Sequence, residues 1–182
     1  MTNLFLPVLQ GTTRLQRQSI KVSRLLVKMI NEREGLSSEL VDPVDFNFPG
    51  DGNDPEGKDP RYGEIIGRAD GLVIVVPEYN NSFPSSLKRM LDSELKAYFH
   101  KPAALMGVSS GRIGGARAIE ALVPVLRELG LVASSVDVLF ANVQDIFDDQ
   151  GNLLDEAYLK RINRALDELV WLAQALKAGA SQ

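Results

Sequence analysis

The amino-acid sequence predicts an α/β fold built on a five-stranded parallel sheet with helices on both faces. Two features carry that expectation. Short apolar runs alternate with longer amphipathic stretches along the 182 residues, with no internal repeat, the pattern of strand–helix units that assemble into a parallel sheet. One run, Gly71-Leu-Val-Ile-Val-Val76, is apolar throughout and mostly β-branched, as expected of a strand covered on both faces. With 45% hydrophobic and 24% charged residues, the chain has the balance of one packed domain spanning residues 1–182.

The elements follow in order. Leu4 to Leu9 is the first strand. From Ser19 to Arg33, Val22, Leu26, Met29 and Ile30 recur at helical spacing and make an amphipathic helix. Glu39 to Val41 is a short second strand. Residues 42–60 hold four prolines, three glycines and five aspartates and read as a long loop. Asp59-Pro60 then pairs an N-cap residue with proline at the first helical position, opening a helix to about Ala69. Gly71–Val76 is the third strand. The loop Pro77 to Phe83 leads into a helix opened by Pro84 and ending near Tyr98. Ala103 to Val108 is the fourth strand and Gly115 to Leu129 the next helix, with Ile119, Leu122, Val123, Leu126 and Leu129 inward and a kink expected at Pro124. Val132 to Phe140 is the fifth strand. Residues 155–178 form the last helix, facing Ile162, Leu166, Leu169, Val170 and Ala173 to the core. Right-handed crossovers leave few topologies. The flavodoxin-like order 2-1-3-4-5 is the expected one, with its ligand site at the carboxyl ends of strands 1 and 3.

Composition narrows the chemistry. The formal charge is −4 and no long basic run occurs, so nucleic acid is not an expected partner. The chain has no cysteine and one histidine, which removes disulfides, thiol nucleophiles and multi-histidine metal centres. No apolar run reaches the roughly 20 residues of a membrane helix, and Met1-Thr2-Asn3 carries no basic leader. A cytoplasmic protein that binds neither membrane nor metal is expected. His100 reads as a helix-terminal surface residue, Trp171 as a packing residue, and the aspartates between Asp145 and Asp149 as a solvated turn.

The predicted topology brings three loops to one edge of the sheet. Gly11 to Ser19 carries the hydroxyls of Thr12, Thr13 and Ser19, the cations Arg14 and Arg17, and a helix N-terminus behind them. Free N–H groups, the helix dipole and guanidinium groups together suit a phosphate monoester; a helix cap with solvated arginines is the other reading. In Pro77 to Phe83, Pro77 stops the strand and leaves Tyr79 and Asn80 at its exposed end, where a flat ring fits, although asparagine is also a common turn former. In Ser109 to Gly115, Gly111, Gly114 and Gly115 permit close backbone approach, as they also do in plain tight turns.

These loops carry a resemblance. Gly11-Thr-Thr-Arg-x-x-Arg-x-Ser19, Pro77-Glu-Tyr-Asn80 followed by Ser82, Pro84, Leu87-Lys88 and Asp92, and Ser109-Ser-Gly-x-x-Gly-Gly115 resemble, in order and spacing, the NADPH-dependent FMN reductase family of flavodoxin-like quinone, azo and chromate reductases. The resemblance implies FMN as cofactor and NADPH or NADH as co-substrate. It puts Thr12, Arg14, Arg17 and Ser19 on the FMN phosphate, Pro77, Glu78, Tyr79 and Asn80 along the ring system, and Ser109, Ser110, Gly111 and Gly114 near its polar edge. Gln10 departs from the pattern, standing where the family has an apolar residue before the glycine. The implied activity is reduction of a small-molecule acceptor by hydride relayed through the flavin, chemistry that the cofactor supplies, in a homodimer or homotetramer. The absence of a G-x-G-x-x-G after the first strand favours FMN over FAD. A flavodoxin-type electron carrier and a non-catalytic binding module share the fold and stand as alternatives; the paired arginines favour the reductase.

Overall fold

The computed structural model describes residues 3–48 and 57–180. The first strand comprises two segments, β1 (Leu4–Phe5) and β2 (Val8–Gln10), followed by α1 (Ser19–Asn31). The second line of strand is likewise split into β3 (Leu36–Ser37) and β4 (Leu40–Val41). Then come α2 (Pro60–Arg68), β5 (Leu72–Pro77), α3 (Ser85–Asp92), β6 (Pro102–Val108), α4 (Ala116–Glu128), β7 (Val132–Ala133), β8 (Val138–Phe140) and α5 (Ala157–Ala180). All pairings are parallel, with β4, β2, β5 and β6 adjacent in that order and both β7 and β8 on the far side of β6. Taking the split segments together, this is the order 2-1-3-4-5.

The first split has a chemical cause. Leu4, Leu6 and Val8 donate in turn to the carbonyls of Gly35, Ser37 and Glu39, so the chain runs extended throughout, but Pro7 has no N–H to give. Its missing donor falls on the opposite side, where β5 is only beginning. One step earlier on that side, Phe5 donates to the Asp70 carboxylate at 2.9 Å.

Alternation along the buried strands builds two cores. Val73 and Val75 of β5, with Ala104, Met106, Val138 and Phe140, meet α1 and α5 through Val22, Leu26, Ile162, Leu166 and Leu169. Leu72, Ile74 and Val76, with Ala103 and Leu105, meet α2, α3 and α4 through Ile66, Leu87, Met90, Ile119, Leu122 and Leu126. Successive side chains of a strand point to opposite faces, so one continuous apolar run serves both layers.

Several elements differ from expectation. The third helix ends at Asp92 rather than near Tyr98. The Ser93 hydroxyl caps the Met90 carbonyl at 2.7 Å, and a turn at Lys96–Tyr98 drops Tyr98 into the core, where its hydroxyl meets that of Tyr62 at 2.5 Å. Burial pushes both phenols above their ordinary range. The fifth strand is interrupted between Ala133 and Val138, where Ser134 Oγ accepts from the Val136 amide at 3.2 Å. Helix α4 continues through Pro124, which is exposed. Val123 lies outside its apolar stripe. Trp171 is 62% exposed and not a core residue: the inward stripe of α5 runs Leu166, Leu169, Ala173, and a position two residues from both Leu169 and Ala173 falls on the far face. His100 is exposed.

The loop read over 42–60 includes residues 49–56, which lie outside the described residues. Its described ends are ordered: Pro43–Asp45 forms a short 3-10 turn, and Phe46 and Phe48 pack edge-on against the Tyr62 ring. No helix among the described residues is long and apolar enough to cross a membrane.

Candidate functional site

Parallel strands present their carboxyl ends on one edge, so the loops after β2, β5 and β6 open together. They form a cleft of about 210 Å³. Thr12, Arg14, Arg17 and Ser19 line it from the first loop, Pro77, Glu78 and Tyr79 from the second, Ser109 and Ser110 from the third. Asn80, Gly111 and Gly114 stand outside this wall. Gln16, Gln18, Val108 and Val143 belong to it without being singled out by the sequence motifs. Val143 follows β8, and the same topology puts the segment after the fifth strand on this edge, so that signal was present. A depression of about 760 Å³ along α5 is larger, but its walls are mostly charged and polar side chains of one helix, with no loops converging on it.

Glycine opens the first loop because nothing else fits. A Cβ on Gly11 would lie 2.3 Å from the Val75 carbonyl oxygen and 2.7 Å from Pro77 Cδ. The loop then folds on its own polar groups. Thr12, 3% exposed, accepts from the Arg14 amide at 3.2 Å, and its hydroxyl pairs with the Tyr79 hydroxyl at 3.0 Å. Ser86 of α3 donates to the Gly11 carbonyl at 3.2 Å. The first and second loops are thereby fastened to each other. No side chain caps the start of α1, which leaves first-turn N–H groups available to an anion.

The second loop is a two-residue hairpin. Tyr79 and Ser82 exchange backbone bonds of 2.7 and 2.9 Å, and Asn80 and Asn81 have φ of 50° and 66°. Such a turn requires φ > 0 at both central residues, and asparagine is the non-glycine residue that tolerates it best. Asn80 therefore sits exposed at the turn tip. In the third loop Gly114 and Gly115 take φ of 65° and 89°. A Cβ on Gly114 would lie 2.8 Å from Leu139 Cβ, so this glycine serves packing against the end of β8. Gly111 is different. A Cβ there would meet nothing within 4 Å, and its carbonyl accepts from Ser109 Oγ at 2.9 Å and from the Asn142 amide at 3.1 Å.

The charges of the cleft are mostly compensated. Arg17 is ion-paired with Asp42 and donates to the Arg14 carbonyl at 3.3 Å. Glu78 is ion-paired with Arg117 in the first turn of α4. The Arg14 guanidinium is exposed and unpaired among the described residues. Two buried side-chain polar atoms among the described residues lack a partner: Arg17 Nε and Glu78 Oε2. Both belong to residues of this cleft wall. An unsatisfied buried group costs about 1–3 kcal/mol, which a ligand or water supplying the missing partners removes. The set fits FMN: cations, hydroxyls and free helix N–H groups at one end for a phosphate, and an acceptor oxygen beside Pro77 and Tyr79 for a polar ring edge.

Comparison with known proteins decides the family. Residues 6–145 match the sequence model of the family described as NADPH-dependent FMN reductase. The chain belongs to the NADPH-dependent FMN reductase family. It is an FMN-dependent NAD(P)H oxidoreductase. An NAD(P)H-dependent FMN reductase of Pseudomonas aeruginosa is 36% identical over 118 residues, 62% of this chain and 64% of that protein, so this alignment spans just under two thirds of the relative. A quinone reductase of Pseudomonas putida is 30% identical over 156 residues, covering 82% of this chain and 84% of that one. Among solved structures, FerB, a flavoenzyme NAD(P)H:(acceptor) oxidoreductase from Paracoccus denitrificans, superposes with a TM-score of 0.76 at 24% identity, covering 94% of this chain and 98% of that one; at that identity it supports the flavodoxin-like α/β fold alone.

Proposed function

We propose that this cleft is the FMN site of a reductase for small diffusible acceptors such as quinones, azo compounds, chromate or free flavin. Thr12, Arg14, Arg17 and Ser19 hold the phosphate. Pro77, Glu78, Tyr79 and Asn80 lie along the ring system, and Ser109, Ser110, Gly111 and Gly114 lie near its polar edge. The observation that carries this reading is the pair of orphaned buried atoms, Arg17 Nε and Glu78 Oε2, an unused donor on the phosphate side and an unused acceptor on the ring side of one cleft. When bound, FMN would supply the hydride-transfer chemistry that links NAD(P)H to the acceptor. The protein's part is to bind, orient and stabilise: first-turn amides and Arg14 neutralise phosphate charge, the Thr12–Tyr79 contact holds two walls in register, and third-loop N–H groups stabilise charge developing on the ring. The whole chain acts as a single domain in this reading, assembled as a homodimer or homotetramer in the cytoplasm, where reduced nicotinamide is regenerated.

The test is direct. Flavin released from the purified protein is expected to chromatograph as FMN, and the protein to oxidise NADPH or NADH only when a quinone or another acceptor is added. FAD as the released flavin, or no nicotinamide oxidation with acceptor and added FMN, overturns the reading.

A further inference from the structure

Behind the phosphate loop lies a chain of buried polar side chains that the motifs do not account for. Gln10 and Ser23 are fully buried and Ser19 is 4% exposed. Gln10 ends β2, a wholly buried strand segment in which its neighbours are Val8 and Leu9. Gln10 Nε2 donates to Ser19 Oγ at 2.6 Å, and Ser23 Oγ donates to Gln10 Oε1 at 2.6 Å. An amide buried among apolar side chains costs free energy unless its donor and acceptor are both matched, and here each is matched by one serine of α1.

A hydroxyl carries one proton; with the amide nitrogen toward Ser19 and the amide oxygen toward Ser23, whose hydroxyl also lies 3.3 Å from the Ser19 carbonyl, the chain has a direction. With Ser19 Oγ accepting from Gln10, the Ser19 proton is not used within the chain, and Ser19 is part of the cleft wall. Polarity then runs from Ser23 through Gln10 to Ser19 and out toward the cleft. The opposite polarity would turn the Ser19 proton inward onto Gln10 and leave lone pairs toward the cleft, an arrangement that repels an anion. Each bond in such a chain polarises the next, so the outward arrangement strengthens Ser19 as a donor.

We propose that Gln10 is a positioning residue for the FMN phosphate. It acts through Ser19: the amide, anchored by Ser23, presents the Ser19 hydroxyl as a donor to the phosphate. This rests on the reading of the cleft given above. It also gives the departure at position 10 a function, since an apolar residue there supplies no such anchor.

The experiment compares FMN with riboflavin, which has the same ring and ribityl chain but no phosphate. Both are titrated by fluorescence quenching into the full chain freed of flavin, as wild type, Gln10→Met, Ser23→Ala, Ser19→Ala and Gln10→Met/Ser19→Ala. Wild type is expected to prefer FMN. Gln10→Met is expected to raise the FMN Kd roughly three- to tenfold, the range of one neutral hydrogen bond, while riboflavin binding stays within about twofold of wild type, less than one such bond. Ser23→Ala, which removes only a hydroxyl, is expected to move FMN binding in the same direction by less. In the Ser19→Ala background Gln10→Met adds nothing, because the group it positions is gone. Equal losses for both flavins, or an unchanged FMN Kd in both Gln10→Met and Ser23→Ala, overturn the proposal. A wild type that binds FMN and riboflavin equally well overturns the phosphate reading and the proposal with it, and is thereby distinguished from failure at Gln10 alone.

Discussion

Arg17 is held by the Asp42 carboxylate on one side and the Arg14 carbonyl on the other, whereas the Arg14 guanidinium stands exposed among the described residues. Arg17 brings a positive charge already balanced by a carboxylate whose side chain is 7% exposed; Arg14 brings one that is not balanced. The two substitutions therefore have different signatures. Arg14→Ala removes a charge-assisted hydrogen bond of about 1.5–3 kcal/mol, so the FMN Kd is expected to rise roughly ten- to a hundredfold, with thermal stability of the flavin-free protein unchanged. Activity recovers when FMN is saturating. Arg17→Ala strands Asp42 as a buried, unpaired carboxylate, a change that destabilises by about 3 kcal/mol or more. Its primary readout is a lowered melting temperature without flavin. An Arg14→Ala protein with wild-type FMN affinity removes that residue from the site.

Helix α2 is held at its start by Asp59. Its carboxylate accepts from the Arg61 amide at 3.1 Å and from the Asn47 amide at 3.2 Å, and bonds the Arg61 guanidinium at 2.6 Å. The side-chain hydrogen bond from Arg61, helped by those two amides, lowers the Asp59 carboxyl from 3.8 to about 2. A depressed carboxylate contributes stability above its unfolded pKa, and that contribution is lost as pH falls through the folded one. The cap's share is thus expected to be complete above about pH 4 and to disappear toward pH 2. Asp59→Ala is expected to cost about 1 kcal/mol at neutral pH, and its loss of stability below pH 4 is expected to be shallower than wild type's. Chemical denaturation at pH 7, 4 and 3 checks both. Identical acid slopes in the two proteins would remove Asp59 from the acid response.

That cap was legible as Asp59-Pro60, because capping is written in neighbouring residues. So was β5, whose buried run has no competing period. Other features were not. The end of α3 depends on Tyr98 meeting Tyr62, a contact between residues 36 apart, and a helical pattern carries no sign of it. In the cleft, motif spacing identified most of the wall. It did not identify Asp42 and Arg117, which lie 25 and 39 residues from the side chains they pair with. Asn80, expected along the ring system, also stands at a turn tip, a position where residue type is set by φ.

For the molecule as a whole, ligand binding and stability are one measurement. A flavin that binds only the folded chain adds about 2.7 kcal/mol at a hundredfold excess over its Kd. For a chain of this size that corresponds to a rise in Tm of about 5–10 °C. FMN is expected to produce that shift, and riboflavin at the same concentration a smaller one. No shift with saturating FMN would contradict a site formed by the folded loops.

The last helix has a consequence for how such a chain comes into being. The last strand segment ends at Phe140, but the face that α1 covers in part with Val22, Leu26 and Ile30 is completed by Ile162, Leu166, Leu169 and Ala173 of α5. A growing polypeptide therefore holds its strands with one oily side only partly covered for as long as it takes to make the next thirty or so residues. At elongation rates of about 5–20 residues per second this lasts seconds, far longer than collapse requires. In that interval the apolar side chains that α5 will cover face solvent, and packing of α5 completes that core.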